Sequence, residues 1–224
     1  MKLFNHQKKA LNLTKDQTRV AYFIDMGGGK TFIGSEKMMK LGKNFNLVVC
    51  QKSKIQDWID HFNQYYSAFP YFIEVYDLTN KKQFERYMQI VKEWKPFFEI
   101  KDDWTGQTEL QENPDPCMYI GVINYDLVFR RPDLLKMEQF TLMLDESSII
   151  QNEKAKRSKF ILKMKPKNVI LLSGTPTSGK YENLWTQIHL LGWEISFKVF
   201  QSQYVNWKKI DVGGVEISLS LIHI

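Results

Sequence analysis

Short apolar runs alternate along the chain with longer segments whose apolar residues recur at helical spacing. The runs fall at 20–24, 47–50, 71–76, 119–123, 140–144 and 169–172. Several are apolar on both faces, as expected of strands covered by helices on each side. Helices are expected between and after them, at 30–41, 53–65, 80–93, 154–164 and 181–191. Strand and helix in turn are the signature of βαβ units, so the pattern predicts an α/β domain of three layers with a mainly parallel central sheet. No internal repeat and no Gly/Ser linker interrupts it.

Two stretches break the rhythm. Residues 96–116 hold a Trp104-Thr105-Gly106 turn and the polar Asn113-Pro114-Asp115-Pro116 segment, and are expected to form an irregular surface insertion. Its aromatics (Trp94, Phe97, Phe98 and Trp104) are read first as anchors to the core, with stacking on bases as the alternative. The last six residues, LSLIHI at 219–224, match the in-frame translation of a transposon adapter used in preparing sequencing libraries. They are expected to be a non-native tail, with a short β-strand as the alternative.

Composition narrows the function classes. The 224 residues are 43% hydrophobic and 25% charged, the balance of an ordinary globular protein, and one good-sized core is expected. A formal net charge of +6 favours an acidic partner, without separating DNA from RNA or an anionic membrane. Cys50 and Cys117 stand far apart in unrelated contexts, which argues against a disulfide framework or a zinc site and for a reducing, cytoplasmic compartment. The N-terminus lacks the apolar core of a signal peptide, and no apolar stretch approaches membrane-spanning length.

Three segments carry chemistry. Asp25-Met26-Gly27-Gly28-Gly29-Lys30-Thr31 follows a predicted strand and opens a predicted helix, the context a phosphate-binding loop requires. Gly27, Gly28 and Gly29 let the backbone wrap closely around phosphate oxygens, and the positive end of the following helix adds to the attraction. Lys30 is placed to bridge β- and γ-phosphates and the Thr31 hydroxyl to ligate Mg²⁺. Ile24 stands where the strict Walker pattern has Gly or Ala, so the match is to the GxGKT core. The second segment is an apolar strand ending in Asp145-Glu146, two carboxylates at the edge of a parallel sheet where ligands bind. Asp145 suits Mg²⁺, a hard cation, and Glu146 suits polarisation of an attacking water. The third, Leu171-Leu172-Ser173-Gly174-Thr175-Pro176, again ends a strand, with small hydroxyl residues able to link two sites by hydrogen bonds.

The order DMGGGKT, LDESSIIQN and LLSGTP resembles motifs I, II and III of superfamily-two helicases, and more narrowly of Swi/Snf-like DNA-dependent ATPases. The resemblance covers roughly residues 3–193 and implies a RecA-like P-loop NTPase lobe, of a divergent kind similar in compactness to phage and bacterial members. The departures are Gln151-Asn152 in place of Lys-Asn and Ser147-Ser148 in place of Ala-His. Three weaker segments fall where the family has motifs. Leu3 to Lys8 resembles an adenine-reading Gln motif, which gives Gln7 the base edge and Phe4 a packing role. Val49 to Trp58 resembles motif Ia and Val122 to Asp126 motif Ib, which implies nucleic-acid contacts from Lys52, Ser53, Asn124 and Tyr125. The basic cluster Lys154, Lys156, Arg157, Lys159, Lys163, Lys165 and Lys167 is read as a solvated face, with a DNA backbone contact as the alternative.

The resemblance implies ATP and Mg²⁺ as cofactors, duplex DNA as partner, and a second RecA-like lobe carrying the arginine finger. Residues 1–193 are then the first lobe and 194–218 the start of the connection to the second. Function is expected to be ATP-driven movement on DNA. A nucleotide-gated DNA-binding module without turnover, and a restriction or RNA helicase of the same superfamily, are the alternatives.

Overall fold

The structure, a computed structural model, describes residues 3–67, 72–101, 108–113, 116–212 and 215–222. Six strands form the main sheet: β1 (Arg19–Phe23), β2 (Phe45–Cys50), β3 (Phe72–Asp77), β6 (Cys117–Asn124), β7 (Thr141–Asp145) and β8 (Asn168–Ser173). Their order is β1-β8-β7-β2-β6-β3 and every pairing is parallel. All six therefore end on one edge, and β1, β8 and β7, which precede the three chemical segments, are neighbours there.

Helices cover both faces. On one lie α1 (Asn5–Leu13), α2 (Lys30–Leu41) and α3 (Ile55–Tyr66), whose Leu11, Ile33, Met38, Trp58 and Phe62 pack with Val48, Met143, Ile170 and Leu172. On the other lie α4 (Lys81–Glu93), α5 (Tyr125–Val128), α6 (Lys156–Lys163) and α7 (Trp185–Leu190), packed through Phe84, Tyr87, Val128, Ile161 and Leu190. Alternate residues of β8 divide between the two cores: Val169 and Leu171 face one, Ile170 and Leu172 the other. That division is the period of a strand, and it explains an unbroken apolar run with no polar face.

Helix α2 lies unusually close to the sheet. A Cβ at Gly34 would fall 2.8 Å from both Leu172 Cδ1 and Met143 Sδ, so any larger residue would push these side chains aside to keep this approach. The first turn of α2, with Lys30 and Thr31, is thereby fixed against the ends of β8 and β7.

Each expected strand is present with its limits shifted by one or two residues, and α2 has the expected limits. The parallel three-layer architecture is as predicted. The stretch expected to be irregular differs: β4 (Phe97–Lys101) and β5 (Thr108–Glu112) pair antiparallel as a separate two-stranded ribbon. The Trp104 turn lies outside the described residues. Prolines at 96 and 116 bound the ribbon and mask the strand pattern between them. Helix α1 is also unexpected. Only its Gln7 and Leu11 are buried, too few apolar positions to show a helical period. Beyond α7 the chain forms α8 (Phe197–Tyr204) and an antiparallel pair, β9 (Val205–Val212) with β10 (Val215–Ile222), so residues 219–222 of the expected tail are paired with 205–208. Among the described residues no helix is long and apolar enough to cross a membrane.

Candidate active site

The glycine loop leaves β1 beside β8. The Ile24 N–H donates to the Ser173 carbonyl at 3.1 Å, and Gly28 N–H closes a turn onto the Asp25 carbonyl at 3.1 Å. Gly27 and Gly29 have φ of +81° and +73°, the left-handed region that side chains rarely adopt. Gly29 is doubly required, because a Cβ there would lie 2.2 Å from Gln7 Nε2. Nothing lies within 4 Å of a Cβ built at Gly27, so that side of the loop is open. Lys30 Nζ donates to the carbonyls of Ile24 at 2.9 Å and Asp25 at 3.4 Å, and sits 3.5 Å from the Cβ position of Gly174. Its charge is thus held inside the mouth of the loop. Thr31 is half-buried in the first turn of α2.

Gln7 differs from its expected role at a base edge. Its side chain is 3% exposed, accepts the Phe4 N–H at 2.8 Å and donates to the Gly29 carbonyl at 3.4 Å. The amide supports the loop backbone from α1, half of a capping box that the helix lends to the loop. His6 joins it, with a ring nitrogen 3.0 Å from the Gly28 carbonyl. Phe4, 69% exposed, is the part of this motif that stands open.

Asp145 ends β7 and is half-buried, with Oδ2 accepting the Trp58 indole N–H at 2.9 Å. Burial raises its pKa above the ordinary carboxylate value; the Trp58 hydrogen bond opposes that, the Glu146 charge adds to it, and the Lys30 charge opposes it. Lys30 Nζ lies beside Gly174, whose neighbour Ser173 bonds Glu146, so the ammonium and the acidic pair stand at the ends of the adjacent strands β1, β8 and β7. Glu146 has φ of +54°, left-handed for a non-glycine residue, and its Oε2 accepts the Ser173 hydroxyl at 3.4 Å. Ser173 Oγ in turn accepts the Thr175 N–H at 3.2 Å. Lys30, Asp145, Glu146, Ser173 and Gly174 are therefore brought together on one edge, as expected, with Thr175 exposed beyond them.

Two of the residues that depart from the motif pattern, Ser147 and Gln151, have defined partners. Ser147, fully buried, donates to Gln187 Oε1 at 2.7 Å, and Gln187 Nε2 donates to the Pro176 carbonyl at 2.7 Å. Gln151 Nε2 donates to the same carbonyl at 3.1 Å and its Oε1 accepts Asn183 Nδ2 at 3.1 Å. The acidic turn and the Gly174-Thr175-Pro176 loop are thus bolted together by amides. Gln187 and Asn183 had no signal in the sequence, since each acts through a partner more than thirty residues away.

A second concavity of about 620 Å³ opens where the first turn of α3 faces α5, lined by Lys52, Ser53, Thr79, Asn124, Asp126 and Arg130 among others. Lys52 and Ser53 are exposed there. Asn124 lines the groove, but its Oδ1 is engaged by the Leu127 N–H at 2.8 Å as the cap of α5. Tyr125 requires correction: its ring is 3% exposed and its phenol donates to the Asp145 carbonyl at 2.9 Å, so it supports the acidic turn from below. Trp58, at the end of the motif Ia segment, is likewise 2% exposed and faces Asp145, not the groove. Exposed Arg130, which the sequence reading did not single out, supplies the groove with a cation.

The family model described as SNF2-related domain matches residues 6–218. The chain is 25% identical over 176 residues to the chromatin-remodeling ATPase INO80 of Saccharomyces cerevisiae, covering 75% of this chain and 10% of the relative. It is 33% identical over 103 residues to a SWI/SNF-related regulator of chromatin, subfamily A-like protein 1 homologue, of Caenorhabditis elegans, covering 43% and 15%. Its fold matches the Sulfolobus solfataricus SWI2/SNF2 ATPase core solved in complex with dsDNA, with a TM-score of 0.63, 20% identity, and coverage of 91% and 39%. The chain thus spans between a tenth and about two fifths of these proteins. With the family match extending over nearly all of its length, the chain belongs to the SNF2-related domain family.

Proposed function

We propose that this chain is the ATP-binding lobe of a Swi/Snf-type DNA translocase, binding ATP with Mg²⁺ at the glycine loop and duplex DNA along the α3/α5 groove. The observation that carries the reading is the meeting of Lys30 with Asp145 and Glu146 at one sheet edge. The residues fit the proposed ligands. The loop is open at Gly27, Lys30 Nζ sits beside Gly174, and an acid and a hydroxyl stand at the adjoining strand end and helix start. Magnesium needs few protein ligands, because it keeps waters and phosphate oxygens.

On this reading Gly27, Gly28 and Gly29 offer backbone N–H groups to phosphate oxygens, and Lys30 leaves its two carbonyls to meet the β- and γ-phosphates. Thr31 and Asp145 would hold Mg²⁺, which neutralises charge on the phosphates when bound. Glu146 orients and polarises the attacking water, and Ser173, hydrogen-bonded to Glu146, reports its position to the Gly174-Thr175 loop. Gln7 steadies Gly29, and Phe4 is free to pack on the base. Lys52 and Ser53, with Asn124 at the groove wall, meet phosphates without reading sequence. The SWI2/SNF2 core solved with dsDNA supports the choice of duplex DNA. Domain limits go with the proposal: 1–193 the lobe, 194–218 the start of a connection to a second RecA-like lobe, and 219–224 a non-native tail, supported by a family match that ends at 218.

The test is Glu146→Gln. A hydrolase loses turnover while its nucleotide stays bound, so radiolabelled ATP should be retained unhydrolysed through gel filtration. A chain whose ATP affinity and turnover are both untouched by the substitution binds nucleotide without using it, and the enzyme reading fails.

A further inference from the structure

Helix α3 touches both candidate sites. Lys52, Ser53, Ile55 and Gln56 at its N-terminal approach line the groove, and three residues beyond Ile55 the Trp58 indole reaches the Asp145 carboxylate at 2.9 Å. The indole is held rigidly. It is 2% exposed, stacked on Phe62 with centroids 5.7 Å apart, and edge-on to His61 at 5.8 Å. His61 in turn bonds Ser35 of α2 at 2.9 Å, one turn beyond Lys30 and Thr31. An indole has a single N–H and no acceptor, so the bond fixes the direction of the Asp145 carboxylate, which the Glu146 backbone N–H also holds. A displacement of α3 by a groove ligand must turn the carboxylate or break this bond.

We propose that Trp58 is a positioning residue that couples occupancy of the α3/α5 groove to metal binding at Asp145. This rests on the functional reading above, and it adds the physical link between the two ligands. The coupling is a free energy shared by both sites: duplex in the groove alters magnesium-nucleotide affinity by some factor, and nucleotide alters duplex affinity by the same factor.

The experiment measures that factor on the whole chain, from the affinity for a fluorescent ATP analogue with and without a short blunt DNA duplex, in Mg²⁺ and again in EDTA. Trp58→Phe keeps the ring and removes the N–H. Phe62→Leu disturbs the same stack and keeps the N–H. The expected result is a factor of roughly fivefold or more in Mg²⁺, retained in Phe62→Leu and collapsed towards one in EDTA and in Trp58→Phe. Because the factor is a ratio, a change in either affinity alone leaves it unmoved. Equal factors in Trp58→Phe and the unaltered chain, or no coupling in the unaltered chain, overturn the proposal. An unaltered chain that binds neither nucleotide nor duplex overturns the functional reading instead. Should Trp58→Phe not fold, the Trp58 indole ¹⁵N–H resonance of the unaltered chain decides: it shifts when duplex is added without nucleotide if the link exists, and a stationary resonance refutes it.

Discussion

Lys30 keeps its ammonium on the carbonyls of Ile24 and Asp25, two partners that a phosphate must replace. Replacing it with Ala removes a charge-assisted contact to the ligand, and nucleotide affinity should fall by about tenfold or more in a titration with a fluorescent analogue. Gly29→Ala is expected to be as severe for a different reason. Its φ of +73° resists a side chain, and the new methyl would meet Gln7 Nε2 at 2.2 Å, so the Gln7 amide is displaced from the Gly29 carbonyl or the loop shifts off α1. Calorimetry should show lower ATP affinity together with a lower melting temperature, whereas Lys30→Ala lowers affinity alone. These residues were legible in the sequence because loop chemistry is local: glycines, lysine and threonine stand side by side. Trp58 on Asp145 was not legible, since the bond spans 87 positions and exists only after β2 and β7 pair. Tyr125 misled for the same reason. A motif tells which segment lies near a groove, and the face of the helix on which a residue falls decides whether it turns inward, as Tyr125 does on α5 and Trp58 on α3.

Between α2 and α3 lies a buried polar cluster: His61 on Ser35 at 2.9 Å, Ser35 on the Tyr66 hydroxyl at 3.0 Å, and Tyr66 on Glu36 at 2.9 Å. Burial lowers the His61 pKa from 6.5 to about 4. The unfolded chain therefore takes up a proton at this residue as pH falls below 6.5, while the folded chain resists it until about 4. Stability contributed by the neutral ring is present above that window and lost on descending through it, with a ceiling of about 3 kcal/mol for the single site. Urea denaturation between pH 7 and pH 4 should show this slope, and His61→Gln should flatten it. Another tie at this scale is Lys37 of α2, 1% exposed, whose ammonium donates to the Thr14 carbonyl at 2.6 Å at the end of α1. Helix α2 was predictable to the residue, since its start is set by the loop and its stop by left-handed Gly42. Helix α1 was hidden because polar bonds such as this one, and not an apolar stripe, hold it in place. The 97–112 ribbon was missed because a two-stranded element apart from the core carries no strong burial pattern.

At the scale of the molecule, one sheet edge gathers the loop, the acidic pair and the Ser173 loop because three parallel strands are adjacent, an arrangement the strand runs made legible and the strand order completed. The chain spans only 10% of the yeast relative and 39% of the SWI2/SNF2 core. In a two-lobe motor the arginine finger, worth about 10³–10⁵ in rate, comes from outside this lobe. On the proposed two-lobe scheme, turnover by these residues alone should be slow, measured as phosphate release with and without duplex, and a rate of several per second would contradict that scheme. Glu146, finally, occupies a backbone conformation that glycine would take with less strain. Glu146→Gly should melt higher, by about 1 kcal/mol of added stability, and be inert as a hydrolase. A search for hardier variants of this lobe would thus drift toward dead ones, and the acidic turn is the position at which such a screen must be held to activity as well as heat.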